Sequence, residues 1–212
     1  MIAVVDYHKG NLKSVERGLA GVGADARITD DLEVISNAEA IVLPGVGAFA
    51  DASTSMQQLG QLDVVRDRIQ AGAPFLGICL GLHLMFEGGE EHAVGDYTVG
   101  MGLVPGIVGA LPKVDAQGNA YKIPHVGWNS VEQVEGIESP LFEGVSQGEF
   151  FYFTHSYAVP ESAATIATTT HSVTFPCAVQ VGERAFGVQF HPEKSSDAGA
   201  RLLENFVRLA RA

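Results

Sequence analysis

The pentapeptide Gly77-Ile78-Cys79-Leu80-Gly81 sets a thiol between two glycines, just after the apolar run Pro74–Ile78 and just before a second apolar stretch that opens at Leu80. Strand, nucleophile and helix in that order, with glycine two positions to either side, is the layout of a nucleophile elbow. So sharp a turn brings neighbouring backbone close enough that a side chain at either glycine collides. It also leaves the central side chain at the carboxyl end of the sheet, where open α/β sheets form their ligand crevices. A free cysteine thiol has a pKa of about 8.5, and a helix N-terminus or a neighbouring imidazolium lowers it by one to several units, making thiolate the major form near neutrality. The chemistry this predicts is attack of sulfur on the carbonyl carbon of a small amide. A lone cysteine is more often a core residue, and Cys177, which lacks any such context, is read that way.

A thiolate nucleophile needs a base, and seven histidines compete for the role. His191 stands in Gln189-Phe190-His191-Pro192-Glu193 at the end of a predicted strand. Pro192 biases His191 toward extended backbone. Residues two apart in extended chain project to the same side, so the Glu193 carboxylate reaches one imidazole nitrogen while the other faces the thiol. That is the orienting role of the third member of a triad. His83, four residues after Cys79 on the same predicted helix face, is the main rival. It has no acidic orienter and is read as lining the pocket. His155, within Tyr152-Phe153-Thr154-His155-Ser156-Tyr157, is read the same way. His8, His92, His125 and His171 show no catalytic pattern, and without an HxxxH or Cys/His cluster no metal or cofactor is expected. A tetrahedral intermediate needs two donors aimed at its oxyanion. The N–H of Leu80 is the natural first, and the turn Pro44-Gly45-Val46-Gly47 offers a second.

The elements that must position these groups follow from periodicity. Ile2–Asp6 reads as a buried strand, and Leu12, Val15, Leu19 and Val22 as a helix ended by Gly21 and Gly23. Ala40–Leu43 is the next clear strand, broken by Pro44-Gly45-Val46-Gly47. Met56, Leu59, Leu62, Val65 and Ile69 fit one helix closed by Gly72. Pro74–Ile78 is a strand, and a helix runs from Leu80 to about Glu87. Strands separated by helices imply βαβ crossovers and a mostly parallel sheet. After residue 95 short β-rich runs dominate: Tyr121–Val131, Glu149–Val159, Ala164–Thr170 and Phe175–Val181, read as hairpins or added strands. Ala185–Phe190 is a last buried strand, and Leu202, Leu203, Phe206, Val207 and Leu209 close the chain as an amphipathic helix capped by Ser195, Ser196 or Asp197. The expected fold is α/β, a mostly parallel sheet flanked by helices with antiparallel β structure added in the C-terminal half, and residues 1–212 form one domain.

Composition agrees. The 212 residues are 46% hydrophobic and only 18% charged, which predicts a packed globule. A formal charge of −12 argues against unaided nucleic-acid binding. No run approaches the roughly 18 apolar residues of a membrane span, and no signal-peptide pattern opens the sequence. Two cysteines without CxxC spacing are expected to be reduced thiols in the cytoplasm.

Leu43-Pro44-Gly45-Val46-Gly47-Ala48-Phe49, Leu76-Gly77-Ile78-Cys79-Leu80-Gly81 and Phe190-His191-Pro192-Glu193 together resemble the class I (triad) glutamine amidotransferases. More narrowly, Asp6-Tyr7, Gly10-Asn11-Leu12, Pro124-His125-Val126-Gly127-Trp128-Asn129, Phe151–Tyr157 and His191–Ser195 are similar to the glutaminase subunits of imidazole glycerol phosphate synthase. The resemblance implies a flavodoxin-like sheet and a γ-glutamyl thioester on Cys79, with Cys79, His191 and Glu193 as triad. It places the second oxyanion donor at Val46. Glutamine-binding positions fall at Gly47, His83, Ser156 and Tyr157. A cyclase subunit, the expected partner in a heterodimer, faces Asn11, Pro124, Val126, Trp128, Tyr152 and Lys194. It uses the ammonia to make imidazole glycerol phosphate and AICAR in histidine biosynthesis. Val46 stands between two glycines, so rotation of its peptide on partner binding is a further expectation. The family usually has Gln where this chain has His83, and Gly where it has His8. Rival readings are the glutaminase of another synthase, such as that of pyridoxal phosphate, a cysteine hydrolase or peptidase of similar fold, and an inactive scaffold that only binds a cyclase.

Overall fold

Ile2–Val5 (β1) carries no polar residue and is buried on both faces, as an inner strand of a parallel sheet must be. A computed structural model describes residues 1–212. From β1 the chain runs through α1 (Leu12–Gly21), β2 (Ala26–Thr29), α2 (Leu32–Asn37), β3 (Ala40–Gly45), α3 (Phe49–Gln58), α4 (Gln61–Gln70) and β4 (Phe75–Cys79). The single turn α5 (Leu80–His83) leads into β5 (Phe86–Gly89), β6 (Thr98–Val99) and β7 (Val104–Ala110). The remainder is β8 (His125–Gln133), β9 (Glu149–His155), β10 (Tyr157–Ala158), β11 (Thr165–Thr170), β12 (Thr174–Val181), β13 (Ala185–Val188) and the long α6 (Ser196–Arg211).

Nine strands form one sheet in the order β2-β1-β3-β4-β13-β12-β11-β8-β9. The first five are parallel and the rest antiparallel. The parallel part has the doubly wound order of flavodoxin-like folds. Alternate residues of β1 supply the two cores. Ile2 and Val4 pack with α1 and α6 on one face, and Ala3 and Val5 with Ile35, Phe49, Met56 and Val65 on the other. A second sheet, β10-β7-β5-β6, is built from the middle of the chain. No helix is long and apolar enough to cross a membrane.

The structure differs from the sequence expectation at four places. The helix drawn through Met56–Ile69 is two, because Gly60 takes φ +70 between α3 and α4, a left-handed conformation that stops a helix. The helix expected from Leu80 to Glu87 is one turn, and Phe86–Gly89 joins the second sheet instead. An apolar run of this length carries no period to separate the two. β2 and α2 are polar and half exposed, and so gave no hydrophobic signal. The run Glu149–Val159 divides at Ser156, where β9 ends in the large sheet and β10 begins in the small one.

Candidate active site

β4 ends at Cys79, whose φ of 54 and ψ of −105 lie outside the regions that residues with a side chain ordinarily occupy. The flanking glycines make that turn possible. A Cβ on Gly81 lies 1.9 Å from the Leu43 carbonyl oxygen of β3, and one on Gly77 lies 2.6 Å from the carbonyl of Gly81. A single helical turn after Cys79 carries little macrodipole. Stabilisation of negative sulfur therefore falls to nearby side chains and N–H groups.

The parallel pairing of β13 with β4, Val188 beside Ile78, brings the carboxyl ends of the two strands to the same edge of the sheet. Three residues later comes His191. Its N–H donates to the Tyr152 carbonyl at 2.9 Å, and the Ser195 hydroxyl donates to the His191 carbonyl at 2.6 Å while accepting from the Tyr152 N–H at 3.0 Å. Ser195, one of the three candidate caps, is the N-cap residue of α6, but its side chain makes no capping bond. Its hydroxyl instead clamps this loop to β9. His191 Nδ1 lies 2.8 Å from Glu193 Oε1, with both side chains almost wholly buried. Nδ1–H therefore donates to the carboxylate, and Nε2 is left without a hydrogen bond of ordinary geometry, facing the sulfur. Burial pulls the imidazole down, but the hydrogen bonds and charges of Cys79 and Glu193 outweigh it and push it up to about 9.

That value fixes a sign. A group raised in this way stays protonated throughout the neutral range, and whatever depends on the imidazolium is lost as pH rises through about 9. Proton donation to a leaving group is such a function. The alkaline limb of the kcat/KM profile is expected near 9. A limb at the ordinary histidine value of about 6.5 contradicts the coupling to Cys79.

Cys79 stands at the floor of a cleft of about 470 Å³. Val46, Gly47, Leu80, His83, Ser156 and Tyr157, all singled out in the sequence, line it, with Pro124 at its mouth. The structure adds Thr154, Glu91 and His92. Glu91 accepts a hydrogen bond from the Phe49 N–H at 3.1 Å, and burial raises its carboxyl. In the sequence only its place after Gly88-Gly89 marked it, and that signal is too common to use. Val46 is 40% exposed. A Cβ on Gly45 meets the Leu80 Cβ at 2.4 Å, whereas one on Gly47, at φ +102, meets nothing within 4 Å. Gly47 is therefore the cleaner position at which to probe rotation of the Val46 peptide.

His125, which shows no catalytic pattern in the sequence, is connected to the cleft-lining His155. His155 Nδ1 donates to the Tyr157 carbonyl at 2.7 Å, so its Nε2 accepts from His125 Nδ1 at 2.9 Å. His125 Nε2 in turn accepts from Asn129 at 3.3 Å. Burial pushes His155 down to about 3 and His125 to about 4, which keeps both neutral and this sequence of tautomers intact. The result is a fixed Tyr157 carbonyl in the cleft wall. His83 is likewise neutral, pushed down to about 4 by burial, and its Nε2 is committed to Gln189 Oε1 at 2.7 Å.

The six residues expected to face a partner lie at the surface. Val126 and Trp128 point outward from β8, and Trp128 pairs with Tyr152 of β9, their rings edge-on at 6.2 Å. Lys194 Nζ stands 5.9 Å from the centre of the Tyr152 ring. Asn11, just before α1, and Pro124 are exposed. Phe150, which the sequence reading passed over, is 53% exposed and extends the same outward face.

The family profile described as glutamine amidotransferase class-I matches residues 3–210. Imidazole glycerol phosphate synthase subunit HisH of Syntrophotalea carbinolica is 41% identical, over 97% of this chain and 98% of its own. The subunits of the same name from Caldanaerobacter subterraneus and Aquifex aeolicus are 44% and 43% identical, the first over 97% of both chains, the second over 98% of this chain and 96% of its own. Among solved structures, a glutamine amidotransferase superposes with TM-score 0.73 at 19% identity, each chain fully covered. The glutaminase domain of Trypanosoma brucei CTPS does so with TM-score 0.67 at 17% identity, covering 99% of this chain and 93% of that one.

Proposed function

The chain belongs to the class I glutamine amidotransferases, and from that premise we propose that it hydrolyses glutamine on Cys79 and hands the ammonia to a cyclase subunit, the two together forming imidazole glycerol phosphate synthase of histidine biosynthesis. The observation that carries this reading is Cys79 lining a cleft with the buried His191–Glu193 pair beside it, in a chain more than 40% identical to HisH subunits along nearly its whole length.

The Cys79 thiolate attacks the carboxamide carbon of glutamine, and the carbonyl electrons move to oxygen, which the N–H groups of Leu80 and Val46 receive. The imidazolium of His191 gives its Nε2 proton to the departing nitrogen, and ammonia leaves with the C–N bond pair. Water, activated by the now neutral imidazole, attacks the γ-glutamyl thioester and releases glutamate. Glu193 keeps the ring oriented through both steps. Gly47 and the Ser156–Tyr157 backbone hold the substrate, and the His83 ring, its nitrogens committed or enclosed, packs beside it in the cleft wall. All of this is carried by a single domain, residues 1–212.

Ammonia released into water becomes ammonium and loses its nucleophilicity, so a glutaminase of this kind works docked on its synthase. The outward aromatics Trp128 and Tyr152, with Val126 and Lys194 beside them, have the amphipathic character of interface anchors. Two free cysteines, one of them the nucleophile, suit the reducing cytoplasm. The test is a glutaminase assay with and without the cyclase subunit and its phosphoribosyl substrate. Stimulated hydrolysis is expected, with nitrogen from labelled glutamine appearing in imidazole glycerol phosphate. Peptide cleavage without glutamine hydrolysis, or no hydrolysis with the cyclase present, overturns the proposal.

A further inference from the structure

Between Cys79 and His83 lies a third polar side chain, one the triad does not use. Gln189 follows β13, is fully buried, and has its backbone N–H fixed to the Cys177 carbonyl at 2.8 Å. Its carboxamide has one end 2.7 Å from His83 Nε2 and the other, Nε2, 3.6 Å from the Cys79 sulfur. We propose that Gln189 is a further catalytic residue, its amide N–H donating to the Cys79 sulfur, and that His83 is the positioning residue that decides which end of the amide faces the sulfur. The inference rests on the assignment of Cys79 as nucleophile.

The orientation follows from His83. Neutral and buried, its ring carries one N–H, and Nδ1 is enclosed without a hydrogen-bond partner. A proton placed on Nδ1 strands a buried donor, which native structures avoid more strictly than an unused acceptor lone pair. The proton therefore sits on Nε2 and donates to Gln189 Oε1, and the –NH2 end of the carboxamide is turned to Cys79. A flipped amide both strands that donor and presses a carbonyl oxygen on the sulfur.

The sulfur needs such a donor. As a thiol it stands 4.0 Å from the Thr154 carbonyl oxygen, an acceptor for S–H that becomes an unfavourable neighbour once the proton leaves. The titratable groups around it are His191 with Glu193 behind it, Tyr7 from beyond β1, whose hydroxyl burial and the nearby Cys79 both raise, and His83 behind the amide. Of these only the imidazolium brings positive charge. The Gln189 N–H adds a neutral donor that persists when His191 has given its proton away. In the deacylation step the C–S bond breaks and its electron pair returns to sulfur, where this N–H receives it. A glutamine side chain at position 83 presents an N–H of the same kind to Gln189, which makes His83→Gln the conservative substitution.

The test reads the sulfur directly. The rate of iodoacetamide alkylation of the full chain is followed against pH, and the labelled peptide is identified by mass spectrometry to separate Cys79 from the buried Cys177. Replacing Gln189 by methionine, of similar length and without the donor, is expected to move the midpoint of the alkylation profile up by about one pH unit, a tenfold change in the thiol–thiolate equilibrium. His83→Leu moves it the same way by less, His83→Gln restores the parent midpoint, and the double variant His83→Leu/Gln189→Met shifts no further than Gln189→Met alone. A folded Gln189→Met with the parent midpoint overturns the proposal. If that variant does not fold, a folded His83→Leu with the parent midpoint does so. Alkylation is scored whether or not glutamine is the substrate, so failure of the glutaminase assignment, seen as no hydrolysis by the parent chain with its cyclase, is read separately.

Discussion

Cys79→Ala is expected to lower glutamine turnover by on the order of 10⁴-fold or more, as loss of a covalent nucleophile does in other triad hydrolases, while synthesis from supplied ammonia by the complex with the cyclase continues. His191 and Glu193 remain and can at best activate water, without the thioester that divides the reaction into two easier steps. The fold survives. Alanine keeps the Cβ that cysteine already places at φ 54, and only one sulfur's contacts are lost. A companion substitution tests the strain. Cys79→Gly removes the Cβ from that disfavoured conformation, whose cost is about 1–3 kcal/mol, and is expected to melt above Cys79→Ala. Steady-state glutaminase assays and thermal unfolding of both variants measure this. Turnover within tenfold of the parent in Cys79→Ala rejects the covalent mechanism.

Gly81→Ala is expected to cost more stability than any active-site change, above about 4 kcal/mol, a range reached only by severe core disruption. The added methyl carbon falls 1.9 Å from the Leu43 carbonyl oxygen. That oxygen belongs to β3, which is buried and paired on both sides, so neither partner in the collision yields by rotating a side chain. Typical domains have 5–15 kcal/mol to lose, and most of the protein should then accumulate unfolded. Gly47→Ala is the control. Its φ of +102 carries strain, but the new atom meets nothing within 4 Å, so a loss of about 1–2 kcal/mol is expected. Urea denaturation ranks the two. A Gly81→Ala protein that unfolds at the parent midpoint contradicts the steric account of the elbow.

The features legible in the sequence are those that depend on neighbours a few residues away. Gly77, Cys79 and Gly81 declare a sharp turn because glycine is the only residue that fits where backbone meets backbone. His191-Pro192-Glu193 declares an oriented imidazole because extended chain returns the carboxylate to the same side. The hydrophobic period of β1, α1, β4 and α6 is likewise local. The features that escaped depend on packing between distant segments. Gly60 divides α3 from α4 through a dihedral that an apolar period does not register. Phe86 leaves the helix for a second sheet whose partner strand, β7, begins at Val104. His83 lines the pocket as its sequence position suggested, but its bond to Gln189, 106 positions along the chain, depends on the fold. His125 showed no pattern because its tautomer is set with that of the cleft-lining His155, across a strand pair 30 residues apart in sequence.

The loop that carries His191 is stitched to β9, and β9 is the last strand of the large sheet, with β8 on one side and no strand on the other. Outer ribbons of a sheet are the first to breathe in native-state hydrogen exchange. The amide of His191, bonded to Tyr152 rather than to β13, is expected to exchange with that margin and not with the slow centre beside β4. A molecule that leans on Trp128 and Tyr152 therefore presses from outside on the strand that holds the His191 backbone, and stiffening that margin is expected to steady the imidazole without touching the cleft.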